Sequence, residues 1–358
     1  MKKQFFISLS AVACWLGSGS IGAAELKEVP VREALARRFP EEIVLVTYLQ
    51  GDRPGIVALG NNQVIPGVIA LKRGTPAQAA VSTNQEFVMA FPGEDLAAAV
   101  RKCFAGESAP LVELAGAGLT ASPPAKVRSP LLPQCLVNYE CRVKSQADAG
   151  DATVFLGDVV ATHPTPSRAR RLYLAGWHGA DPVLKAFAGA REPPVPAGFE
   201  KYPEQVVMIT ACDENGKPNA MTAGWTMRVS DDPPMLAVAI GKSRYTHDLV
   251  RRSREFVCGY PGADMEAEML YCGTHTGRNV DKFREANLAI QPGKKVRLPL
   301  LAKWQAAFEC RVAAELDLGS HTLFIGTIET AHVSDRQAPR LYNLGPAPGG
   351  RRVFQPLE

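Results

Sequence analysis

Residues 127–143 read VRSPLLPQCLVNYECRV, and residues 296–312 read VRLPLLAKWQAAFECRV, an offset of 296 − 127 = 169. The same offset carries EFVMAFPGEDL at 86–96 onto EFVCGYPGADM at 255–265, and TVFLGDVVATH at 153–163 onto TLFIGTIETAH at 322–332. Further upstream, RFPEEIVLVTY at 38–48 matches KYPEQVVMITA at 201–211 with a slightly different spacing, 201 − 38 = 163. Three segments in one register are not chance similarity. So long a period with only two copies is a domain duplication and not a solenoid, whose units run to about 50 residues. Pro and Gly punctuate AREPPVPAGFE at 190–200, which marks a linker. The expected units are therefore 25–189 and 201–358, joined by 190–200.

Each copy reads as mostly strands with a few helices. VVMIT (206–210), MLAVAI (235–240), FVCGY (256–260), FECRVAAEL (308–316) and HTLFIGTIETAHV (321–333) are rich in β-branched and aromatic residues and are bounded by Gly, Pro or Asp. Antiparallel pairing into a β-barrel is the expected result. Helical patterns are confined to YTHDLVRRSR (245–254), behind a polar cap, and NVDKFREANL (279–288), which places Val280, Phe283 and Leu288 near helical spacing.

Composition limits the function classes. The 358 residues are 46% hydrophobic, enough for about two domains with real cores. The 40 basic and 36 acidic residues are interspersed and leave a net charge of only +4, too weak a bias for nucleic acid. Lys2 and Lys3 precede an apolar stretch from Phe5 to Leu16, and Gly22-Ala23-Ala24 supplies small residues before Glu25. That pattern is a signal peptide (1–24) with cleavage after Ala24, and it predicts an exported, periplasmic protein. A lipid anchor at Cys14 is the weaker reading, because Ala11 stands where a lipoprotein box has a larger aliphatic. No later segment has the roughly 18 apolar residues of a membrane span. The other seven of the eight cysteines are too scattered for a disulfide framework. Cys135 and Cys141, six residues apart (141 − 135) in one expected strand, would share a face yet lie too far apart to bridge.

The second copy resembles a known family. NAMTAGWTMRVSDDPPMLAVAIGKSRYTHDLV (219–250), EFVCGYP, CGTHTGRNVDKF (272–283), FECRV and GSHTLFIGTIETAHV (319–333) are similar to the flavin reductase-like domain, the flavoredoxin type of FMN-binding split barrel. The resemblance implies FMN as cofactor. It sets the isoalloxazine against Asn219, Met221, Thr222, Ala223, Gly224, Trp225 and Thr226, and the phosphate on Lys242, Ser243, Arg244 and Thr246. Thr276, Gly277 and Arg278 would lie near the flavin, as would His321 at the start of the last long strand. The residues themselves point to the same phosphate site. Thr246, two places before Asp248, reads as a helix N-cap, and a helix start presents unpaired N–H groups and a positive dipole end to an anion. Arg244 adds a planar two-point donor and Lys242 a point charge.

Two other chemistries are weighed and set aside. Ser243, His247 and Asp248 crowd one helical turn, where a nucleophilic triad does not reach its geometry, and no G-x-S-x-G elbow is present. Cys272 and His275 have C-x-x-H spacing but no second ligand pair, so no metal is expected.

The first copy serves as an internal control. AIGKSRYTHDLV (239–250) corresponds to ALKRGTPAQAAV (70–81), so Ser243, Arg244, Thr246 and Asp248 become Gly74, Thr75, Ala77 and Ala79. Thr276-Gly277-Arg278 becomes Glu107-Ser108-Ala109, Asp281-Lys282-Phe283 becomes Val112-Glu113-Leu114, and His321 becomes Ala152. Cap and phosphate donors are expected to be lost from this copy, with Lys72 and Arg73 left to hold a weaker anion. Because family members are commonly homodimers, the tandem chain is expected to form an intramolecular pseudo-dimer with one competent flavin site. There is no G-x-G-x-x-G for a separate nicotinamide domain, so any nicotinamide would stack directly on the flavin. Export away from pyridine nucleotides favours an FMN-dependent oxidoreductase or electron carrier served by a redox partner protein. The alternative is a non-catalytic split-barrel protein binding haem or another flat ligand.

Overall fold

Alternating apolar residues over Trp304–Asp317 and His321–Ser334 build one long antiparallel hairpin, and Val137–Ala149 with Ala152–Pro164 builds its twin. The computed structural model describes residues 25–60, 65–104, 112–167, 169–187, 203–336, 338–347 and 349–357. The signal-peptide segment and the linker 190–200 lie outside the described residues.

Both hairpins carry β-bulges at matching places, between Glu309 and Cys310 and between Val312 and Ala314 in one, and between Glu140 and Cys141 and between Val143 and Ser145 in the other. Such bulges bend a sheet toward closure. In the second copy the hydrogen-bonded order runs Pro218–Ala223, Val207–Cys212, Glu255–Pro261, Trp304–Asp317, His321–Ser334, Pro234–Gly241, Thr226–Asp231. The two end strands are separated in the chain by Gly224 and Trp225 alone. Only a sheet curled round on itself can bring its edges that close, and the gap between them is the split of the barrel. The first copy repeats the order from Arg53–Leu59 to Val68–Lys72, with no described counterpart of Thr226–Asp231. The protein is thus mostly β, two split barrels in tandem.

Each barrel has its own core, with Phe256, Phe308 and Phe324 in the second and Phe87, Phe91 and Phe155 in the first. A further core belongs to both. Ile65, Val68, Val154 and Leu156 pack with Met227, Val229, Met235 and Ile325. Reciprocal contacts confirm a pseudo-twofold arrangement. The Tyr173 hydroxyl donates to the Pro203 carbonyl at 3.0 Å, and the equivalent Tyr342 hydroxyl donates to the Pro40 carbonyl at 2.7 Å. A contact that returns with the partners exchanged is the mark of an isologous interface. The expected pseudo-dimer is what the chain forms.

Several sequence readings change. Leu26–Val29 pairs with His321–Ser334, and the helix Val31–Leu35 buries Ala34 and Leu35 in the second barrel, although the boundaries put these residues in the first unit. Cys135 precedes the strand Val137–Ala149 and is not part of it; all seven described cysteines are free and buried. The helix expected over 279–288 shrinks to Lys282–Glu285, because Asp281 caps it by accepting from the Phe283 and Arg284 N–H groups. A longer helix, Glu266–Thr274, was not foreseen.

Candidate functional site

A cavity of about 430 Å³ opens beside the strand Pro218–Ala223, between the start of the helix Tyr245–Ser253 and the helix Glu266–Thr274. Asn219, Met221, Thr222, Ser243, Arg244, Thr246, Thr276 and Gly277 all line it. Asn219 is buried, and its Nδ2 donates to Thr246 Oγ1 at 2.7 Å while its Oδ1 has no partner. A buried acceptor left unpaired costs on the order of 1–3 kcal/mol, so this atom is an unmet demand for a donor at the cavity wall. Gly277 is closely packed against it, since a Cβ there would lie 2.1 Å from Asn219 Oδ1.

The helix start differs from the sequence reading. Thr246 is not the cap. The N-cap is Arg244, in extended conformation (φ −80°, ψ 139°), and no side chain caps the helix, because a guanidinium carries no acceptor; the Thr246 hydroxyl, inside the first turn, accepts from Asn219. The true side-chain cap sits in the other barrel, where Thr75 Oγ1 accepts from Gln78 N at 3.3 Å. An uncapped helix start keeps its N–H groups and dipole available to an anion. Beneath it, Lys282 is buried and its Nζ donates to the Ala220 and Cys272 carbonyls, each at 2.8 Å. Burial pushes the Lys282 ammonium below its usual value; Cys272 opposes this and the nearby Arg244 charge adds to it.

A family model described as the flavin reductase like domain matches residues 36–178 and again 199–347. The chain belongs to this family. An uncharacterized protein of Archaeoglobus fulgidus is 39% identical over 137 residues, 38% of this chain and 75% of the relative. An NADH:riboflavin 5'-phosphate oxidoreductase of Streptomyces pristinaespiralis is 29% identical over 136 residues, 38% of this chain and 74% of that protein. The crystal structure of flavoredoxin from Methanosarcina acetivorans covers 46% of this chain and 91% of its own, at 25% identity and a TM-score of 0.40.

The residues present fit a flavin of the kind this family binds. An orphaned acceptor at Asn219 Oδ1 suits a ring N–H or a ribityl hydroxyl, and the uncapped helix start beside Ser243 and Arg244 suits a phosphate.

Other predicted residues stand outside the cavity lining. Lys242 Nζ is paired with Asp317 Oδ1 at 2.7 Å. Arg278 Nη2 meets Asp248 Oδ2 at 2.5 Å, and its guanidinium lies 5.1 Å from the centre of the Tyr245 ring. Trp225 and His321 pack with ring centres 4.7 Å apart, tilted by 42°, beside Gly241, where a Cβ would be 3.4 Å from His321 Nε2 and 3.5 Å from Arg244 Cγ. They form a separate patch next to Arg244. Ala223 joins the barrel core, Thr226 is buried in its strand, and a Cβ on Gly224 would sit 2.5 Å from Glu204 Oε1. His247 is buried with Nε2 2.9 Å from Thr322 Oγ1, a partner unrelated to any triad. No cluster of three or more metal-ligating side chains occurs among the described residues.

Sequence reading missed Tyr245, Met269, Arg351, Arg352 and Phe354 in the lining. The signal for the last three was GGRRVF at 349–354, a glycine pair, a basic pair and an apolar anchor.

The first flavin reductase-like barrel is built differently at the described part of the same place. With Val207 equivalent to Val44 (207 − 163), the registers Val207↔Ala223 and Val44↔Leu59 put Gly55 at the Asn219 position and Ala58 at the Thr222 position. Where Lys282 reaches Ala220 through its side chain, the first barrel makes a direct backbone closure. Ile56 N donates to the Val112 carbonyl at 3.1 Å and Gly55 bridges Glu113, whose carboxylate pairs with Arg53. Lys72 and Arg73, the expected weaker anion site, face Asp151 at 4.0 Å and Asp148 at 3.8 Å. Residues 107–109 lie outside the described residues.

Proposed function

We propose that the protein is an exported FMN-binding oxidoreductase or electron carrier, loaded at the second barrel alone and served by a redox partner protein. The observation that carries the reading is the unpartnered, buried Asn219 Oδ1 standing in one cavity with an uncapped helix start. Family membership and the activity named for the Streptomyces relative support the oxidoreductase class. Bound FMN would supply the hydride or electron chemistry, and the protein position and electrostatics. Arg244, Ser243 and the first-turn N–H groups hold the phosphate. Asn219 orients the flavin by accepting from it, and Lys282 fixes the helix Glu266–Thr274 to the strand Pro218–Ala223 by bridging two carbonyls. Export rests on Lys2, Lys3 and the apolar segment that follows.

The test is a flavin titration of the full chain, read by quenching of flavin fluorescence, against FMN and riboflavin. Arg244→Ala removes a charge-assisted contact of about 1.5–3 kcal/mol, so FMN affinity falls roughly 10- to 100-fold while riboflavin affinity holds. A purified protein with haem absorption in place of flavin bands, or equal losses for the two ligands, refutes the reading.

A further inference from the structure

The loop 275–281 joins the helix Glu266–Thr274 to the short helix Lys282–Glu285, and its residues Thr276 and Gly277 line the cavity. Both ends of the loop are tied down. His275 N donates to the Tyr271 carbonyl at 3.1 Å, Asp281 accepts from Phe283 N at 3.1 Å, and Lys282 bridges two carbonyls. Its centre is held by side chains. Arg278 Nη2 donates to Asp248 Oδ2 at 2.5 Å, Nη1 donates to the Ser243 carbonyl at 3.4 Å, and the guanidinium lies 5.1 Å from the centre of the Tyr245 ring. Tyr245 in turn stands against Gly277, where a Cβ would be 3.2 Å from Tyr245 Cδ1 and 2.1 Å from Asn219 Oδ1.

Arg278 is absent from the cavity lining that its neighbour Gly277 joins. Its donors are committed to Asp248 and Ser243, and the Tyr245 ring lies beside its guanidinium. Asp248 is the informative member of the group. A carboxylate in the first turn of a helix suits the helix dipole, yet it opposes an anion bound at the same helix start. Its other oxygen, Oδ1, stands 3.6 Å from His247 Nδ1. The first barrel provides the control. It keeps the helix, Pro76–Asn84, but none of the three side chains. The offset of 169 (245 − 76) sets Pro76 at Tyr245, Ala79 at Asp248 and, in sequence, Ala109 at Arg278. The three are present together in one copy and absent together from the other.

We infer that Tyr245, Asp248 and Arg278 form a clasp that holds Gly277 against Asn219 at the cavity wall, so that Arg278 is a positioning residue and not a contact to the phosphate. The inference rests on the flavin reading of the same cavity. With the clasp made, the wall is preformed and binding does not have to order the loop. With it broken, the ligand orders the loop as it binds, and affinity falls for any flavin, phosphorylated or not.

The experiment compares the full chain with Asp248→Ala, Arg278→Ala and the double variant; the two side chains are 40% and 45% exposed. Amide hydrogen exchange is followed in ligand-free protein, and FMN and riboflavin are titrated by fluorescence quenching. Exchange over 275–280 should quicken in each variant while the strand Val207–Cys212 keeps its protection. Both flavins should weaken by roughly 3- to 20-fold, the combined effect of an exposed ion pair and a cation–aromatic contact. The double variant should lose no more than either single one, because the pair acts as a unit. Arg278→Lys keeps the charge without the planar fork and should recover only part of the loss. The inference is overturned if Asp248→Ala strengthens FMN, the result of relieved repulsion alone, or if Arg278→Ala weakens FMN while riboflavin holds, which makes the arginine a phosphate contact. Unchanged exchange over 275–280 overturns it too, as does lost protection in Val207–Cys212, since the three side chains would then hold the barrel and not the loop. A wild-type chain that binds neither flavin removes the flavin reading and the inference with it. That outcome differs from failure of the clasp, in which wild type binds flavin and the variants match it.

Discussion

Glu309→Gln is a searching test of how the second barrel is held together. The Glu309 carboxylate is fully buried and accepts from the N–H groups of Lys294 (2.8 Å), Lys295 (2.6 Å) and Val296 (2.8 Å), with His332 Nε2 at 2.6 Å. It ties the loop before Pro299 to two central strands. Burial pushes its pKa up, but His332 and the three N–H groups outweigh burial and hold it below the usual carboxylate value. An amide supplies one acceptor oxygen where the carboxylate supplied two. If its oxygen takes the side facing Lys295 and Val296, its NH2 faces His332, which can accept it at Nε2 only by moving its own proton to Nδ1, a buried nitrogen without a partner. If it takes the other side, two backbone donors are orphaned. Either way the loss is one or two buried donors plus the charge on the remaining bonds, about 3–5 kcal/mol. Guanidinium unfolding followed by fluorescence of Trp304, fully buried in this barrel, measures it. The pH dependence gives the sign. A carboxylate whose folded pKa is depressed contributes stability that is complete above its unfolded pKa and is lost as pH falls through the folded value. The gap between wild type and variant should therefore be widest near neutrality and narrow in acid. A loss below about 1 kcal/mol at pH 7, or a gap that widens in acid, refutes the reasoning.

Glu140→Gln, the same change in the first barrel, should cost less, about 1–3 kcal/mol, because its partner His163 is one-third exposed and water can replace part of the network. Gly277→Ala puts a methyl 2.1 Å from Asn219 Oδ1, so flavin titration should show affinity weakened more than about tenfold while the far-ultraviolet circular dichroism is retained. Tyr342→Phe deletes one half of the reciprocal pair across the pseudo-twofold, and denaturant unfolding should show a loss of about 0.5–1.5 kcal/mol, since the Pro40 carbonyl keeps Gln205 Nε2 at 3.3 Å. Thr75→Ala removes the side-chain cap of the first barrel and should cost about 1 kcal/mol in the same assay.

The fold was legible because duplication prints its evidence twice. Segments such as the two ECRV strands align in sequence, and the reason is now visible: each glutamate, Glu140 and Glu309, anchors three backbone N–H groups of a loop and a histidine on the neighbouring strand. Such a residue cannot drift without unfolding its barrel, so the repeat stays readable. The site was legible only in part. Ser243, Arg244 and Asn219 carry local motifs, whereas the direction of the Thr246 hydroxyl depends on Asn219, 246 − 219 = 27 residues away, and a rule for caps that looks three residues ahead cannot see it. Arg351 and Arg352 were missed for the same reason. Their position depends on Phe354 packing on a helix, Glu266–Thr274, that was not itself foreseen.

The two barrels also satisfy their polar groups unequally. In the first, a backbone bridge at Gly55, an ion pair at Glu113 and a side-chain cap at Thr75 satisfy polar groups at the described equivalent positions. In the second, two corresponding groups are left in want: Asn219 Oδ1 has no partner and the helix start has no side-chain cap. Such deficits persist where a ligand meets them, since anything that binds only the folded state adds RT ln(1 + [L]/Kd) to stability. A homodimer that relinquished a site would relinquish both, because one sequence serves two copies. A tandem chain is free of that constraint. One barrel can settle its polar groups internally and serve as the fixed half of the interface at Tyr173 and Pro40, while the other remains incomplete until occupied.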